Sequence, residues 1–426
     1  MSLLIKNATI INAHKAFTQP QDILLEKGLL QKIAPNISAA TAKVIDAKGK
    51  LVFPGFIDLH THLREPGRED KETIETGSRS AAKGGFTTIF CMPNTNPVID
   101  NAMIAEGIIK EARRVGLVNI LPIGAITRGQ RGEELTDMNE LKMAGCIALS
   151  DDGKCVFNSQ VMRRAMEYAK MEDLLLIEHC EDPCLSACGV MNEGFTSTLL
   201  GLRGIPVIAE TVIVARDIEI AWYLNTRVHL AHMSTKRSVD LIRFAKSQGI
   251  KVTAEACPHH FTLTDEGVKS FDTNFKVNPP LRTQEDVDAI KEALKDGTID
   301  CIATDHAPHT AEEKEQEFDH APVGMIGLET AVGLTYTELV DKKVFSLEQM
   351  AERMSFKPAQ VAGLKNKGEI KEGFDADITI IDPQKSWTVR KDDIASKSKN
   401  SPFIGRTLKG VIETTIWGGK VTYQNI

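Results

Sequence analysis

The sequence has 426 residues, of which 42% are hydrophobic and 26% charged, a composition typical of a globular protein with a sizeable buried core. Its formal net charge of −7 argues against the broad basic surface that nucleic acid or anionic lipid needs, so the expected partner is a small-molecule substrate. Residues 1–6 lack the layout of a signal peptide, and no apolar run approaches the length that spans a bilayer. We therefore expect a cytoplasmic protein without nucleic-acid or membrane partners.

The two ends of the chain alternate apolar and polar side chains in the manner of β-hairpins. Residues 23–30 follow this pattern near the N-terminus, and residues 376–382 follow it near the C-terminus. We predict that the two ends pair into one small β-sandwich domain, built from residues 1–53 and 360–426.

Between these ends, short β-rich runs alternate with amphipathic stretches long enough for helices, which is the pattern of repeated βα units. The β-rich runs occupy residues 55–62, 87–91, 118–127, 146–150, 174–180, 227–233, 251–257 and 300–304. The helical stretches occupy residues 71–83, 102–115, 159–170, 206–224, 238–247 and 285–295. The pattern predicts an α/β fold in which residues 54–359 form a (β/α)8 TIM-like barrel.

The eight cysteines are scattered along the chain, at positions 91, 146, 155, 180, 184, 188, 257 and 301. Most of them lie inside apolar runs, so we interpret them as reduced thiols of the core. The spacing of Cys180, Cys184 and Cys188 suggests a metal cluster as an alternative. That alternative is weak because the Cys-x2-Cys spacing of structural zinc sites is missing.

A His-x-His pair ends the first predicted barrel strand. Side chains two residues apart on a strand share a face, so His60 and His62 point the same way. Neutral imidazole is the commonest nitrogen ligand of zinc-like metals. Such a pair also arises by chance in a chain with 11 histidines, so the pair alone does not establish a metal site.

Further polar residues end other predicted strands: Asp151 and Asp152 follow the fourth, His179 ends the fifth, His232 the sixth and Asp305 the eighth. Because barrel enzymes carry their catalytic groups at the carboxyl ends of the strands, we expect these residues to converge with the His pair on one rim. Four histidines and two carboxylates exceed what one tetrahedral metal needs, which favours two metals. Alternation makes Asp152 the expected ligand and turns Asp151 to the opposite side.

Eight motifs spread over the whole chain resemble those of the class I bacterial dihydroorotases, within the amidohydrolase superfamily. They are DLHTHLREPG at 58–67, MPNT at 92–95, SDDG at 150–153, EHCE at 178–181, HLAH at 229–232, PHH at 258–260, NPPLR at 278–282 and TDHAPH at 304–309. The resemblance implies a zinc-dependent cyclic amide hydrolase. Its reaction would be the reversible cyclisation of N-carbamoyl-L-aspartate to L-dihydroorotate in de novo pyrimidine (UMP) biosynthesis.

The resemblance also implies roles for individual residues. One or two zinc ions would be bound by His60, His62, Asp152, His179, His232 and Asp305. Asp152 would bridge two ions, and Asp305 would double as the catalytic acid and base. The implied substrate contacts are His62, Arg64, Asn94, Asn278, His309, Val323 and Gly324. Arg64, Asn94 and His309 are the ones implied to hold the carboxylate that does not react.

Two other functions stay open. A hydantoinase or allantoinase is disfavoured because many relatives bridge their metals with a carboxylated lysine on the fourth strand. Here residues 145–150 contain no lysine, and Lys154 lies too late. A non-catalytic partner of aspartate transcarbamoylase is disfavoured because all six ligands are present. A homodimer and an association of the active enzyme with that transcarbamoylase are the remaining expectations about partners.

Arg64 has a plainer interpretation, an ion pair with Glu65 or Glu69. Its position beside the His pair favours substrate binding instead. His259 and His260, which follow the seventh predicted strand, are interpreted as structural.

The charged stretch 310–319 follows the eighth predicted strand and contains no turn signal. We expect a solvated, mobile loop there. Because the stretch comes directly after His309, it is also a candidate lid over the substrate.

Overall fold

A computed structural model describes residues 2–14 and 17–425. The strands are β1 Ser2–Ile10, β2 Gln21–Glu26, β3 Leu29–Ala34, β4 Lys43–Asp46, β5 Leu51–Pro54, β6 Phe56–Thr61, β7 Phe86–Cys91, β8 Asn119–Gly124, β9 Ala148–Ser150, β10 Leu175–Glu178, β11 Met191–Asn192, β12 Gly204–Ile205, β13 Val228–Leu230, β14 Val252–Ala256, β15 Cys301–Ile302, β16 Ile378–Thr388, β17 Thr407–Trp417 and β18 Lys420–Gln424. The α-helices are α1 Ile74–Lys83, α2 Ala102–Val115, α3 Met138–Met143, α4 Ser159–Met171, α5 Phe195–Leu200, α6 Ile208–Leu224, α7 Lys236–Ser247, α8 Gln284–Asp296, α9 Ala311–Lys314, α10 Leu328–Thr335, α11 Leu347–Ala351 and α12 Lys357–Val361. No helix in the described part of the chain is long and apolar enough to cross a membrane.

Eight parallel strands form the barrel, in the order β6, β7, β8, β9, β10, β13, β14 and β15. The circle closes beyond β15, where the backbone N–H of His62 donates to the carbonyl oxygen of His306 over 2.9 Å. Each strand coincides with one of the predicted β-rich runs, so the predicted TIM-like barrel is confirmed. Strands such as β7 are buried along their whole length because side chains fill the barrel inside and helices cover it outside.

The strands of the two chain ends form a second, separate sheet. Its order is β18, β17, β16, β5, β1, β2 and β3, with β4 beside β1. The N- and C-terminal parts meet where β5 pairs antiparallel with β16. The predicted pairing of the two ends is therefore confirmed, whereas the domain bounds at 1–53, 54–359 and 360–426 stay a prediction.

A row of aromatic side chains joins the small sheet to the barrel. Phe53 of β5, Phe56 of β6 and Phe86 of β7 are fully buried. The ring centroids of Phe53 and Phe56 lie 5.5 Å apart, and those of Phe56 and Phe86 lie 6.2 Å apart. Each buried phenylalanine stabilises the fold by roughly 1.5–3 kcal/mol. Gly55 lies between the first two rings because the backbone runs too close to Thr87 for a side chain: a Cβ there would lie 2.2 Å from Thr87 Oγ1.

Two predictions about smaller features are wrong in part. Cys184 and Cys188 are exposed, because they lie in the excursion between β10 and β11 and not in a barrel strand. The 310–319 stretch is not a wholly solvated loop, since it contains α9. Lys314 and Phe318 of that stretch are buried, at 6% and 4% exposure. A lid function for this stretch stays a prediction.

Candidate active site

The barrel brings the six predicted ligands together at the carboxyl ends of its strands. His60 lies in β6 and His62 follows it, Asp152 follows β9, His179 follows β10, His232 follows β13 and Asp305 follows β15. All six side chains are buried, with exposures of 7% or less. His232 and Asp305 have left-handed backbones, with φ of 36° and 48°. Such strained backbone conformations cluster at functional sites, where the surrounding fold enforces them.

His60 and His62 are oriented by hydrogen bonds to acceptors outside the cluster. Nδ1 of His60 lies 2.8 Å from a carboxylate oxygen of Glu255, and Nδ1 of His62 lies 2.8 Å from Oδ1 of Asn94. Each imidazole therefore donates its outer N–H and turns the other nitrogen, as a lone pair, into the cluster. Histidines that bind metals are almost always oriented in this way.

The remaining two histidines meet edge to face. His179 directs Nε2 to a carboxylate oxygen of Glu181 at 2.8 Å, and its Nδ1 lies 2.9 Å from Nε2 of His232. Nδ1 of His232 is buried and has no hydrogen-bond partner among the described residues. The inward nitrogens of both rings also approach Asp152 Oδ1, at 3.5 Å and 3.4 Å.

Asp152 lies at the centre of the cluster. Its Oδ1 is 3.3 Å from Nε2 of His60, and its Oδ2 is 3.4 Å from Nε2 of His62. Asp305 Oδ1 lies 3.0 Å from the same nitrogen of His62. Burial opposes ionisation of Asp152, but the surrounding histidines outweigh it and hold the pKa of this carboxyl well below its ordinary value.

The carboxylates of the cluster attract positive charge. Burial disfavours the charged form of His60, yet the carboxylates of Asp152, Glu255 and Asp305 raise the pKa of its imidazole well above the ordinary value. Lone pairs and carboxylate oxygens face one another at 3.0–3.6 Å, and such an arrangement needs cations between the groups. Nε2 of His60 and Oδ1 of Asp152 are buried without a hydrogen-bond partner in the described chain. Ligand atoms that face a metal ion have no such partner either, so the two atoms fit a metal site. The donor set of imidazoles and carboxylates fits zinc-class metals.

A cavity of about 330 Å³ opens onto this cluster. Its lining includes all seven residues predicted to contact substrate: His62, Arg64, Asn94, Asn278, His309, Val323 and Gly324. Five of the six predicted metal ligands also line it, and the sixth, His60, is completely buried behind them.

Arg64 is the cation of this cavity. Its Nε donates to the carbonyl oxygen of Pro308 over 3.2 Å, and its backbone is left-handed, with φ of 63°. Burial is the main cause that lowers the pKa of the guanidinium to about 10, so the side chain stays charged at neutral pH. No ion pair links Arg64 to Glu65 or Glu69 within the described residues, which leaves the charge available to a ligand.

His309 lies beside Arg64 and contacts the charged residues behind it. Nδ1 of His309 is 3.2 Å from Nζ of Lys71 and 3.1 Å from a carboxylate oxygen of Glu313. Burial, together with the charges of Arg64 and Lys71, lowers the pKa of His309 to about 3. A neutral imidazole therefore flanks the guanidinium.

Comparison with known proteins reveals relatives that match the whole chain. A dihydro-orotase-like family model matches residues 49–238, and an amidohydrolase family model matches residues 209–423. The dihydroorotase of Pelotomaculum thermopropionicum is 54% identical over 425 residues, which cover 100% of this chain and 99% of that protein. This chain belongs to the dihydroorotase family. The dihydroorotase of Endomicrobium trichonymphae is 55% identical over 424 residues, which cover 100% of this chain and 100% of that protein.

Solved structures of related amidohydrolases share the fold of this dihydroorotase family member. The L-hydantoinase of Arthrobacter aurescens matches with a TM-score of 0.89 and 26% identity, over 98% of this chain and 95% of that one. The dihydropyrimidinase of Brevibacillus agri matches with a TM-score of 0.85 over 100% of this chain and 95% of that one. At 23% identity, this second match supports the fold alone.

The fourth barrel strand, β9, carries no lysine among its three residues. The nearest lysine, Lys154, directs Nζ to the backbone carbonyl of Gln130 at 3.2 Å. Asp151 also lies apart from the cluster, and accepts hydrogen bonds from the backbone N–H groups of Ile126 and Thr127 at 2.8 Å and 3.0 Å. Of Asp151, Asp152 and Lys154, only Asp152 reaches the cluster.

Sequence reasoning missed the acceptors that orient the histidines. Glu255 lies in β14 and contacts His60 and also His229. No role was predicted from the sequence for Glu255 or for His229. Glu181 orients His179 and also accepts a hydrogen bond from Asn278 over 2.6 Å. A glutamate inside the apolar run 251–257 was the available signal for Glu255, because buried carboxylates need a partner.

Proposed function

We propose that this protein is a zinc-dependent dihydroorotase, which interconverts N-carbamoyl-L-aspartate and L-dihydroorotate. One observation carries the proposal. A buried cluster of four histidines and two aspartates, whose carboxylates attract positive charge, shares its cavity with Arg64, a cation that forms no ion pair with any described residue. The first feature suits the activation of an amide and a water molecule. The second suits a substrate that carries a carboxylate away from the reacting bond.

In this proposal, His60, His62, Asp152, His179, His232 and Asp305 hold one or two zinc ions. Bound zinc supplies Lewis acidity to the amide carbonyl and to a water molecule. The proposed bridging role of Asp152 is supported by the directions of its two oxygens. Oδ2 approaches His62, whereas Oδ1 approaches His60, His179 and His232.

Asp305 is the proposed acid and base. Burial opposes ionisation of this carboxyl, but its contact with Nε2 of His62 at 3.0 Å and the neighbouring histidines hold its pKa below the ordinary value, so it is ionised and can accept a proton. It takes a proton from the attacking water and passes it to the amide nitrogen as the ring C–N bond breaks. The reverse transfers close the ring of N-carbamoyl-L-aspartate with loss of water.

Arg64, Asn94 and His309 are proposed to hold the carboxylate that does not react. Arg64 supplies the charge and a planar pair of N–H donors. Asn94 uses Oδ1 for His62, so its amide N–H groups are left for the substrate. Asn278 and the backbone of Val323 and Gly324 line the same cavity and are proposed to contact the pyrimidine ring.

Hydrolysis of dihydroorotate before and after chelation tests this function. We expect the rate to fall to background when zinc is removed and to return when zinc is added back. Parallel rates on hydantoin and allantoin measure the competing cyclic amidase activities, which we expect to be far slower. A protein that binds zinc but prefers hydantoin would contradict the proposal.

A purified protein that binds no zinc would instead support a non-catalytic partner of aspartate transcarbamoylase. Homodimer formation, association with that transcarbamoylase and a cytoplasmic location stay predictions.

A further inference from the structure

A second group of metal-ligating side chains lies outside the six-residue cluster, at the end of β14. Cys257, His259 and His260 offer one sulfur and two imidazole nitrogens, and the three ligand atoms lie within 4.8 Å of one another. All three side chains are buried, at 0%, 2% and 3% exposure. None of them belongs to the donor set assigned above to the reaction.

The two imidazoles have unused nitrogens in this buried setting. His260 donates Nε2–H to the carbonyl oxygen of Pro279 over 3.0 Å, which leaves Nδ1 as a lone pair. That Nδ1 and the Nε2 of His259 are both buried without a hydrogen-bond partner in residues 2–14 and 17–425. An orphaned buried nitrogen is costly, whereas an outer N–H fixed on a carbonyl is the usual arrangement of a metal-binding histidine.

We propose that Cys257, His259 and His260 bind one zinc-class ion, separate from the ions of the catalytic cluster. Thiolate and imidazole together are the donor set that selects zinc over magnesium or calcium. Ligands of one tetrahedral zinc ion lie roughly 3.5 Å apart, given bond lengths of about 2.0–2.3 Å. The three ligand atoms, all within 4.8 Å of one another, are therefore close enough to share one ion after small side-chain adjustments.

The protonation states of these three residues are compatible with metal binding. Burial and the neighbouring carboxylates of Asp305 and Glu255 raise the pKa of the Cys257 thiol well above its ordinary value. The thiol is therefore protonated until a metal ion binds and displaces its proton. Burial lowers the pKa of His260 to about 3, so its imidazole is neutral and free to bind metal.

The ion has a structural role in this proposal. It fixes the ring of His260, whose Nε2–H is bonded to the Pro279 carbonyl, next to Asn278 in the wall of the substrate cavity. The backbone already turns tightly there, because the N–H of His260 donates to the carbonyl oxygen of Cys257 over 2.9 Å. The site does not depend on the proposed reaction, and its test is independent of activity.

The test compares zinc content and the sulfur signal of the metal. X-ray absorption of the unmodified zinc-loaded protein is expected to show a sulfur neighbour at about 2.3 Å, although the catalytic cluster contains no cysteine. Cys257→Ser is expected to lose that sulfur neighbour and one zinc ion per chain. Cys180→Ser, a matched change at a buried thiol after β10, is expected to keep both.

A purely nitrogen and oxygen environment in the unmodified protein would overturn the proposal without any variant. Loss of the sulfur neighbour in Cys180→Ser would overturn it as well, because the sulfur would then come from the side of the catalytic cluster. If Cys257→Ser does not fold, His259→Asn replaces it, with the same expected loss of one zinc ion.

Discussion

Arg64 and His309 lie side by side at the mouth of the cavity, with Nη2 of the guanidinium 3.4 Å from Nε2 of the imidazole. Lys71 and Glu313 contact the far side of that imidazole, and Glu313 forms ion pairs with Lys71 and Arg68 and not with Arg64. The arrangement keeps one net positive charge directed into the cavity. An anionic group of the substrate is its natural partner.

Replacing Arg64 by methionine is therefore expected to weaken substrate binding more than chemistry. A charged hydrogen bond contributes about 1.5–3 kcal/mol, which corresponds to a rise in KM of roughly 10-fold to 100-fold. Arg68→Met is the matched control, because Arg68 is half-buried outside the cavity lining and pairs with Glu313 over 2.9 Å. Steady-state kinetics of both variants check the prediction, and an unchanged KM in Arg64→Met would remove Arg64 from substrate binding.

Asp305→Asn is expected to fold, to keep part of its zinc and to lose nearly all turnover. The amide oxygen still ligates a metal, but the side chain no longer accepts and returns a proton, a function that contributes roughly 10²–10⁴-fold to rate. Single-turnover rates and zinc content are the measurements. Asp319→Asn, at an exposed aspartate of the 310–319 stretch, serves as the control. Full activity in Asp305→Asn would refute the assignment.

Glu255→Gln tests the carboxylate behind His60. Glu255 accepts from Nδ1 of His60 at 2.8 Å and contacts Nε2 of His229 at 3.2 Å, and these hydrogen bonds outweigh burial and lower its pKa to about 2. Removing the charge is expected to weaken zinc binding by roughly 10-fold to 100-fold, since the carboxylate fixes the tautomer of a ligand. Zinc competition with a chelator measures the change. His229→Asn, one step farther from the cluster, is expected to change the affinity less.

The barrel and its ligand positions could be predicted because both depend on short-range patterns. Each barrel strand is a buried run, and the ends of parallel strands meet at one rim, so His179 and Asp305 could be assigned to one site from sequence position alone. The contact of Glu255 with His60 could not be predicted in this way. It depends on which strands of the closed barrel face each other across its interior.

The 310–319 stretch illustrates a different difficulty. Its charged residues suggested solvation, yet Lys314 is buried because its Nζ donates to the carbonyls of Pro322 and Gly324, at 2.9 Å and 3.1 Å. A charged side chain that satisfies backbone carbonyls 8 and 10 residues later has the same local sequence signature as a solvated one. Only the folded path of the chain distinguishes the two cases.

Lys314 also leads to a prediction about stability and pH. Burial, with the nearby charge of Lys276, lowers the pKa of Lys314 to about 7 from its ordinary value of 10.5. Between these two values the unfolded chain binds the proton more tightly than the folded protein does. The free energy of unfolding contributed by this group therefore rises with pH, by at most about 1.4 kcal/mol per pH unit. Below pH 7 both states are protonated and the contribution is constant.

Urea unfolding at pH 7 and pH 9.5 checks this sign. The stability difference between the native protein and Lys314→Met is expected to shift in favour of the native protein at the higher pH. Equal differences at the two values would show that Lys314 titrates near its ordinary pKa in the folded protein.

Glu210 of α6 stabilises the segment that joins the sixth barrel strand to α7. It is 2% exposed and accepts hydrogen bonds from the hydroxyls of Thr235 and Ser238 over 2.9 Å and 2.5 Å, and from the backbone N–H of Ser234. Glu210→Ala leaves these buried donors without their acceptor, so we expect it to lower the free energy of unfolding by at least about 1–3 kcal/mol. Glu219→Ala, on the exposed face of the same helix, is expected to change it by less than about 0.5 kcal/mol. Urea unfolding of the two zinc-free variants provides the comparison, and equal losses would mean that the network around Glu210 adds nothing beyond helix propensity.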